Sequence, residues 1–348
     1  MHFTSILLCG LAVFAPVLAQ QQPTENLTIV QALTAAAGQN EQFAQLAGIL
    51  QRANLSDALN DTSKNYTVFA PNPATTQLSS LQSIDNTTLS NIIKYHIVQG
   101  AWRNDQLNNS ISHVQTLLDN KTLVNLPNGG HQVVGVIKND TGMFINYGID
   151  AAKVQQADTI FKNGVVHIID KLLEIPKNAT DVLHQAKLTR LESLLDQTNL
   201  TQTLNNFTGI TLFAPTNDAF SKADLGGLND TEIANVLKYH LVHPDIYYSN
   251  LITNNLTIKT VQGGNVTALL RDSGVVLRDA RNKSANVEWP NLLTANGVIH
   301  VIDSVLLPPQ GMLNTTQPTN TVSNSAAGSL AAGMGWVAFS GLLASLLL

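Results

Sequence analysis

Three short motifs occur twice in this chain, in the same order, and that duplication restricts the fold to two copies of one domain. Tyr66-Thr-Val-Phe-Ala-Pro71 recurs as Ile210-Thr-Leu-Phe-Ala-Pro215, and Ile93-Lys-Tyr-His-Ile-Val98 recurs as Leu237-Lys-Tyr-His-Leu-Val242. Asn163-Gly-Val-Val-His-Ile-Ile-Asp170 recurs as Asn296-Gly-Val-Ile-His-Val-Ile-Asp303. Phe69 to His96 and Phe213 to His240 are both 27 residues apart, whereas His96 to Asn163 is 67 and His240 to Asn296 is 56. The first copy therefore carries 11 extra residues in its middle. A period of about 140 residues is too long for a solenoid repeat and suits a tandem domain, large enough to form its own core.

Boundaries follow from the copies. Residues 26–175 form the first domain and 179–307 the second, joined at Pro176-Lys177-Asn178. Residues 308–324, rich in Pro, Thr, Asn and Gln, read as an extended stalk. Met1 to Ala19 reads as a signal peptide: an apolar run from Ile6 to Val17, then small residues before Gln20-Gln21-Gln22. The single cysteine, Cys9, lies inside it, so the mature chain would hold no thiol, which excludes thiol catalysis, disulfides and cysteine-ligated zinc. At the other end, Asn324-Ser325-Ala326-Ala327-Gly328 precedes an apolar stretch with no basic flank. This is the pattern of a GPI-anchor signal, residues 325–348 being removed and Asn324 taking the lipid, in preference to a tail-anchored span.

Charged residues make up 12% of the chain, and the net charge is −5 with the basic residues scattered. Without a basic patch a nucleic-acid partner is not expected. Solubility has another source. Acceptors of the form Asn-x-Ser/Thr stand at Asn26, Asn54, Asn60, Asn65, Asn86, Asn108, Asn120, Asn139, Asn178, Asn199, Asn206, Asn229, Asn255, Asn265, Asn282 and Asn314. Those are 16 of 35 asparagines, whereas with 52 Ser and Thr in 348 residues chance would give roughly five. The excess implies a secreted N-glycoprotein whose hydrated glycans do the work of surface charge.

Within each copy, Phe43, Leu46, Ile49 and Leu50, and Leu188, Leu191, Leu194 and Leu195, have helical spacing. Thr67–Ala70 and Thr211–Ala214 read as short strands closed by Pro71 and Pro215. Asn229-Asp-Thr-Glu232 is a capping box. It opens a helix on which Ile233, Val236, Leu237, His240 and Leu241 share a face, as do Leu89, Ile92, Ile93, His96 and Ile97 in the first copy. Leu123–Leu126, Gln132–Lys138, Val261–Leu270 and Val275–Arg278 read as hairpin strands. Helices first and strands later, twice, indicate an α+β class.

The three motifs together resemble the fasciclin domain family. Phe213-Ala-Pro-Thr-Asn-Asp-Ala-Phe220 matches the first box of that family fully, whereas Phe69-Ala-Pro-Asn-Pro-Ala-Thr-Thr76 matches only its first three residues. The resemblance covers about Asn26 to Leu307. It implies a wedge of β-strands flanked by helices, twice over, and a cell-surface role in adhesion or in wall and matrix contacts. With the signal, the sequons and the tail, the chain looks like a fungal fasciclin-like surface glycoprotein. It would be held by a GPI lipid at the outer face of the plasma membrane or in the wall, with cell-surface, wall or matrix proteins or polysaccharides as partners. Animal members of the family use an Asp-Ile sequence before the closing strand. Asp158-Thr159-Ile160 interrupts it and Leu292-Leu293-Thr294 has no acid, so integrin-type recognition does not carry over. The resemblance also permits a carrier of a small apolar ligand such as a lipid or pigment. An apolar pocket in the second copy but not the first would favour that reading, and an exposed patch between glycans would favour adhesion.

Catalytic patterns are missing: the chain has no G-x-S-x-G, H-E-x-x-H, P-loop or G-x-G-x-x-G. His167 with Asp170, and His300 with Asp303, cannot be dyads, since strand positions i and i+3 point to opposite faces. His96 with His167 lacks a third metal ligand common to both copies. His96, His167, His240 and His300 are therefore expected to be structural, the helix-end pair buried and hydrogen-bonded, with the Thr216 hydroxyl as a partner for His240 where the first copy has Asn72. Asp150, Asp158, Asp170 and Glu174 show no glycosidase-like pairing and read as solvated charges. The expectation is a non-catalytic protein with no cofactor.

Overall fold

A computed structural model describes residues 24–38, 41–72, 81–272 and 274–313 of the chain. The first repeat begins with α1 (Ile29–Ala37) and α2 (Glu41–Arg52), followed by β1 (Tyr66–Pro71), α3 (Asn86–Tyr95), β2 (Ile97–Gln99) and β3 (Ser112–Gln115). It ends in β4 (Val133–Asn139), β5 (Gly142–Tyr147), β6 (Asp150–Phe161) and β7 (Gly164–Ile169). The second repeat begins with α4 (Ala179–Gln185), α5 (Thr189–Gln197), α6 (Thr201–Asn206), β8 (Ile210–Pro215), α7 (Asn217–Lys222), α8 (Asp230–Tyr239) and β9 (Leu241–Val242). It closes with β10 (Leu256–Lys259), β11 (Asn265–Arg271), β12 (Gly274–Arg278), β13 (Ser284–Thr294) and β14 (Gly297–Ile302).

Each repeat has one seven-stranded sheet, β2-β1-β7-β6-β5-β4-β3 in the first and β9-β8-β14-β13-β12-β11-β10 in the second, the same order of equivalents. Among the described residues only β1 with β7, and β8 with β14, pair in parallel. These central strands are apolar runs rather than alternating ones because both of their faces are covered; β7, β8 and β14 are buried at every residue. Helices lie on one side of the sheet: Leu191, Leu195, Leu204, Leu237 and Phe220 form a single core with Leu212 and Ile299. On the other side the hairpin strands fold over Tyr239, Phe213 and Leu277. The capping box at Asn229 and Glu232 is present, with Glu232 N donating to Asn229 Oδ1 at 3.1 Å and Asn229 N to Glu232 Oε2 at 2.9 Å.

Two of the expected hairpin segments are corrected. Leu123–Leu126 is not a strand, and β11 starts only at Asn265, after a turn at 261–264. The reason lies in the length difference between the copies. Seventeen residues separate β3 from β4, where five separate β10 from β11. Both loops are closed by the same device, Thr116 Oγ1 donating to Gln132 O and Thr260 Oγ1 to Gly264 O, each at 2.8 Å. The longer one reaches across to the second repeat. Asn125 N donates to Ala295 O at 2.7 Å, Gly209 N donates to Asn125 O at 3.3 Å, and Gln132 Nε2 donates to Thr294 O at 3.1 Å. Leu123 N and Val124 N are taken by Asn120 O in a local turn and both backbone groups of Asn125 by the neighbouring repeat, which leaves no run of free groups for a hairpin ladder. His113 stacks on Tyr248 with ring centres 4.2 Å apart and completes the contact. Both repeats fall in one compact unit ending at Asn314.

Candidate functional site

The four repeat histidines are neutral clips between chain segments. Tyr95 and Tyr239 end α3 and α8, and the next residue, His96 or His240, is the C-cap. Nδ1–H of His96 donates to Ile92 O at 2.8 Å, and Nε2 accepts from Leu173 N at 2.9 Å. His240 repeats this with Val236 O at 2.8 Å and Leu306 N at 2.9 Å. Each ring ties its helix to the segment after the closing strand. The hydroxyl partner expected for His240 is therefore wrong: Thr216 Oγ1 is the N-cap of α7, accepting from Ala219 N at 3.1 Å. Burial pushes both rings down from 6.5 to about 4, outweighing the hydrogen bond from Nδ1–H.

His167 and His300 form the second pair. Nε2–H of His167 donates to Trp102 O at 2.8 Å and its Nδ1 accepts from Asp158 N at 3.2 Å. In the second repeat the partners of His300 are Tyr247 O at 2.7 Å and Asn291 N at 3.3 Å. Asp158 and Asn291 have φ of 60° and 63° and sit where the pairing of β6 and β13 shifts register. These histidines pin bulges rather than face the aspartates three residues on. Asp170 Oδ1 accepts from Lys153 N at 2.9 Å and Asp303 Oδ1 from Asn286 N at 2.8 Å. Among the described residues no three His, Cys, Asp or Glu side chains are grouped as metal ligands. The other carboxylates are also engaged or solvated: Asp150 pairs with Lys171 at 2.9 Å, Asp158 Oδ1 accepts from Asn104 N at 2.9 Å, and Glu174 is exposed.

Asparagines divide into two populations. Fifteen of the sixteen sequon asparagines lie among the described residues; fourteen are exposed and Asn120 is half-buried. The buried ones, Asn91, Asn163, Asn291 and Asn296, are none of them in a sequon. Several sequons fold into Asx turns that occupy Oδ1 only: Thr141 donates its N and its Oγ1 to Asn139 Oδ1 at 2.9 and 2.7 Å, and Thr180 Oγ1 donates to Asn178 Oδ1 at 2.9 Å. Asn314, Asn324, the leader and the tail lie outside the described residues.

The family model for the fasciclin domain matches residues 41–176 and 186–308. The chain belongs to the fasciclin domain family. A fasciclin-like arabinogalactan protein of Arthroderma benhamiae is 29% identical over 231 residues, 65% of this chain and 52% of that protein, so the chain spans about half the length of that relative. The fasciclin-like arabinogalactan protein elcF of Phaeosphaeria nodorum is 24% identical over 290 residues, 81% of this chain and 90% of that protein. Human periostin is 26% identical over 263 residues, 70% of this chain and 28% of that protein. A solved fasciclin domain pair from the insect cell adhesion molecule fasciclin I covers 78% of this chain and 97% of its own, at 20% identity and a TM-score of 0.38.

The two fasciclin domains differ in the apolar hollows of their helical cores. In the second, Phe220 on α7 is 6% exposed and packed in the helical core. In the first, a half-open apolar cavity of about 60 Å³ is lined by α1, α2 and the sheet; a smaller apolar cavity of about 30 Å³ in the second lies elsewhere, against Leu200, Lys238 and Val261. The larger of these two apolar cavities is thus in the first domain, opposite to the placement expected of a carrier, while a more open and partly polar hollow of about 490 Å³ lies beside Phe220 in the second. Sequence reasoning missed it because a cavity is a property of how side chains pack in the fold.

Proposed function

We propose that this fasciclin protein is a non-catalytic, secreted and GPI-anchored N-glycoprotein that makes contacts with wall or matrix components at the cell surface. The observation that carries the reading is the sorting of asparagines: a chain that presents its acceptors to solvent and keeps its buried asparagines out of sequons has the surface of a glycoprotein. Relatives named as fasciclin-like arabinogalactan proteins support a glycosylated surface role. No helix of the described residues is long and apolar enough to cross a membrane; the attachment proposed is through a lipid on the C-terminal tail.

Removing N-glycans from the purified chain is expected to lower its mass by many kilodaltons, and a GPI-cleaving phospholipase is expected to free it from intact cells without Trp336. A mass change worth one or two glycans, or retention on cells with Trp336 present, overturns the reading.

Contact with a partner needs bare surface. The sequence from Asn282 to Asn314 holds no sequon between those two residues, and there Trp289 on β13 is 43% exposed. Exposed aromatics dominate binding energies at such patches. Trp289→Ala is expected to cut adhesion of expressing cells to matrix-coated surfaces several-fold while secretion and melting stay at wild-type values. Undiminished adhesion places the contact elsewhere.

A further inference from the structure

The loop that the first copy carries and the second lacks is built around one asparagine. Its residues, 116–132, hold a single turn of 3-10 helix, at Pro127–Gly129. Loops this long without regular structure are uncommon in a compact domain, and those that occur are mostly functional. Leu118, Val124 and Leu126 root the loop in the core of its own domain. Asn125, between the last two, directs all of its polar groups at the second domain. Its N donates to Ala295 O at 2.7 Å, and its O accepts from Gly209 N at 3.3 Å. Its Nδ2 donates to Asn206 O at 3.3 Å and to Phe207 O at 3.2 Å, and its Oδ1 accepts from Thr208 Oγ1 at 2.7 Å.

The surface that receives the loop belongs to the second copy alone. Tyr66 N donates to Asn163 O at 3.0 Å and Ile210 N to Asn296 O at 2.9 Å, so the residues before them, Asn65 and Gly209, are equivalent. Gly209 has φ of 79°, and a Cβ there would overlap the ring of Pro127 from the loop as well as the carbonyl oxygen of Pro244. Where the first copy has a sequon asparagine, the second has bare backbone on which Pro127 rests. Beside this point Leu293 N donates to Gly148 O at 3.0 Å and Ala295 N to Lys177 O at 2.7 Å. Val133 of the first domain is buried in one cluster with Tyr248, Leu293 and Val298 of the second. Domains joined in tandem move against each other unless the contact between them is extensive and apolar. Here backbone bonds and a shared buried cluster remove that freedom.

We propose that residues 116–132 are an interdomain clasp, with Asn125 as its key, which locks the two fasciclin domains into one rigid pair that unfolds as a unit. The extra residues of the first copy serve the junction and not the first domain itself. The pair then presents its two surfaces at a fixed angle to whatever it meets. The clasp is independent of the surface reading: it does not involve Trp289, and Asn206 gives it only a backbone carbonyl, leaving that sequon's side chain exposed.

The test is hydrogen exchange on the purified full chain, read by mass spectrometry under rising urea. Peptides from β7 and from β14 are expected to lose protection at one common midpoint. Asn125→Ala should separate the two midpoints and raise exchange at the Gly209 amide roughly tenfold or more in native buffer, because the side-chain bonds that hold the loop down are gone. Protection inside β7 and β14 in native buffer should stay at wild-type values. If the Ala variant does not fold, Thr208→Val removes the same contact from the other side and is read against enzymatically deglycosylated wild type, with Thr208→Ser as the variant that keeps the hydroxyl and should behave normally. Separate midpoints in the wild type overturn the proposal. So does a folded Asn125→Ala or Thr208→Val protein with wild-type exchange at Gly209 and coincident midpoints. Either result leaves adhesion untouched, and loss of adhesion in Trp289→Ala leaves exchange at Gly209 unchanged.

Discussion

Acidification from pH 7 to pH 4.5 is expected to strip both domains of several kcal/mol of folding free energy, in a loss that begins near pH 6.5. His96, His240 and His300 are buried and pushed from 6.5 down to about 4, in each case chiefly by loss of hydration. A ring depressed in the fold binds its proton first in the unfolded chain. Its contribution is therefore intact above about pH 6.5, declines as the pH falls below that value, and reaches its floor near pH 4. A shift of this size corresponds to about 3 kcal/mol per ring at the floor and about 2 kcal/mol at pH 5. Domains of this size have roughly 5–15 kcal/mol in all. Two rings clip one domain and one clips the other, and His113, at about 4 by burial in the contact between the repeats, adds a fourth. Its Nε2 is buried without a partner, so protonation there loosens the docking of Tyr248 against it.

Carboxylates act in a different window. Asp85, which caps α3, is held below 3.8 by hydrogen bonds from Thr88, and such a group loses its effect only as the pH falls towards its own lowered value. Urea midpoints measured by circular dichroism at half-unit steps from pH 7.5 to 4 separate the two. A steady fall starting near pH 6.5 is expected, and His240→Gln should start lower at pH 7 but fall less steeply. A midpoint flat down to pH 4.5 would show that these rings are not neutral clips.

The sequence displayed this fold through residues whose environment is extreme. Phe69 and Phe213 each donate their backbone N to the carbonyl of His96 or His240 at 2.9 Å, and each ring stacks on a closing-strand histidine at 5.9 or 5.8 Å. The three motifs are thus one connected cluster at the centre of each sheet, and that is why they repeat while the flanks drift. The α+β class and the two-domain organisation were readable from them. The strands β6 and β13 were not. Their bulges at Asp158 and Asn291 change which face each residue meets, and this erases the alternation that marks a strand. The segment at Leu123–Leu126 misled for another reason: its apolar residues pack locally, while Leu123 and Val124 close a turn on Asn120 O and Asn125 bonds to the other domain, a partner no local pattern encodes. Sequons could be read directly, but their sorting away from buried asparagines could not, since burial is a property of the fold.

Gly297→Ala is expected to cost about 4 kcal/mol or more, enough to abolish secretion of folded protein. The Asn-Gly pair that opens β14 meets the start of β8 backbone to backbone. Gly297 has φ of 156°, and a Cβ there would overlap the carbonyl oxygen of Ile210 and crowd its nitrogen and carbonyl carbon as well. Backbone cannot swing aside as a long side chain can, so the parallel ladder from Ile210 to Pro215 must part. The preceding Asn296 fixes the approach: its Nδ2 donates to Leu204 O at 2.9 Å and to Phe207 O at 3.0 Å, anchoring the strand to the end of α6. Gly164 stands in the same relation to Tyr66, with Asn163 Nδ2 donating to Leu59 O at 2.6 Å, so Gly164→Ala should disable the first domain in the same way. Gly226→Ala is the control, because a Cβ there meets nothing within 4 Å, and its melting temperature should match the wild type. If Gly297→Ala is secreted and melts within a few degrees of wild type, the strands have room that this geometry denies, and the closing motif owes its glycine to something other than the close approach of β8 and β14.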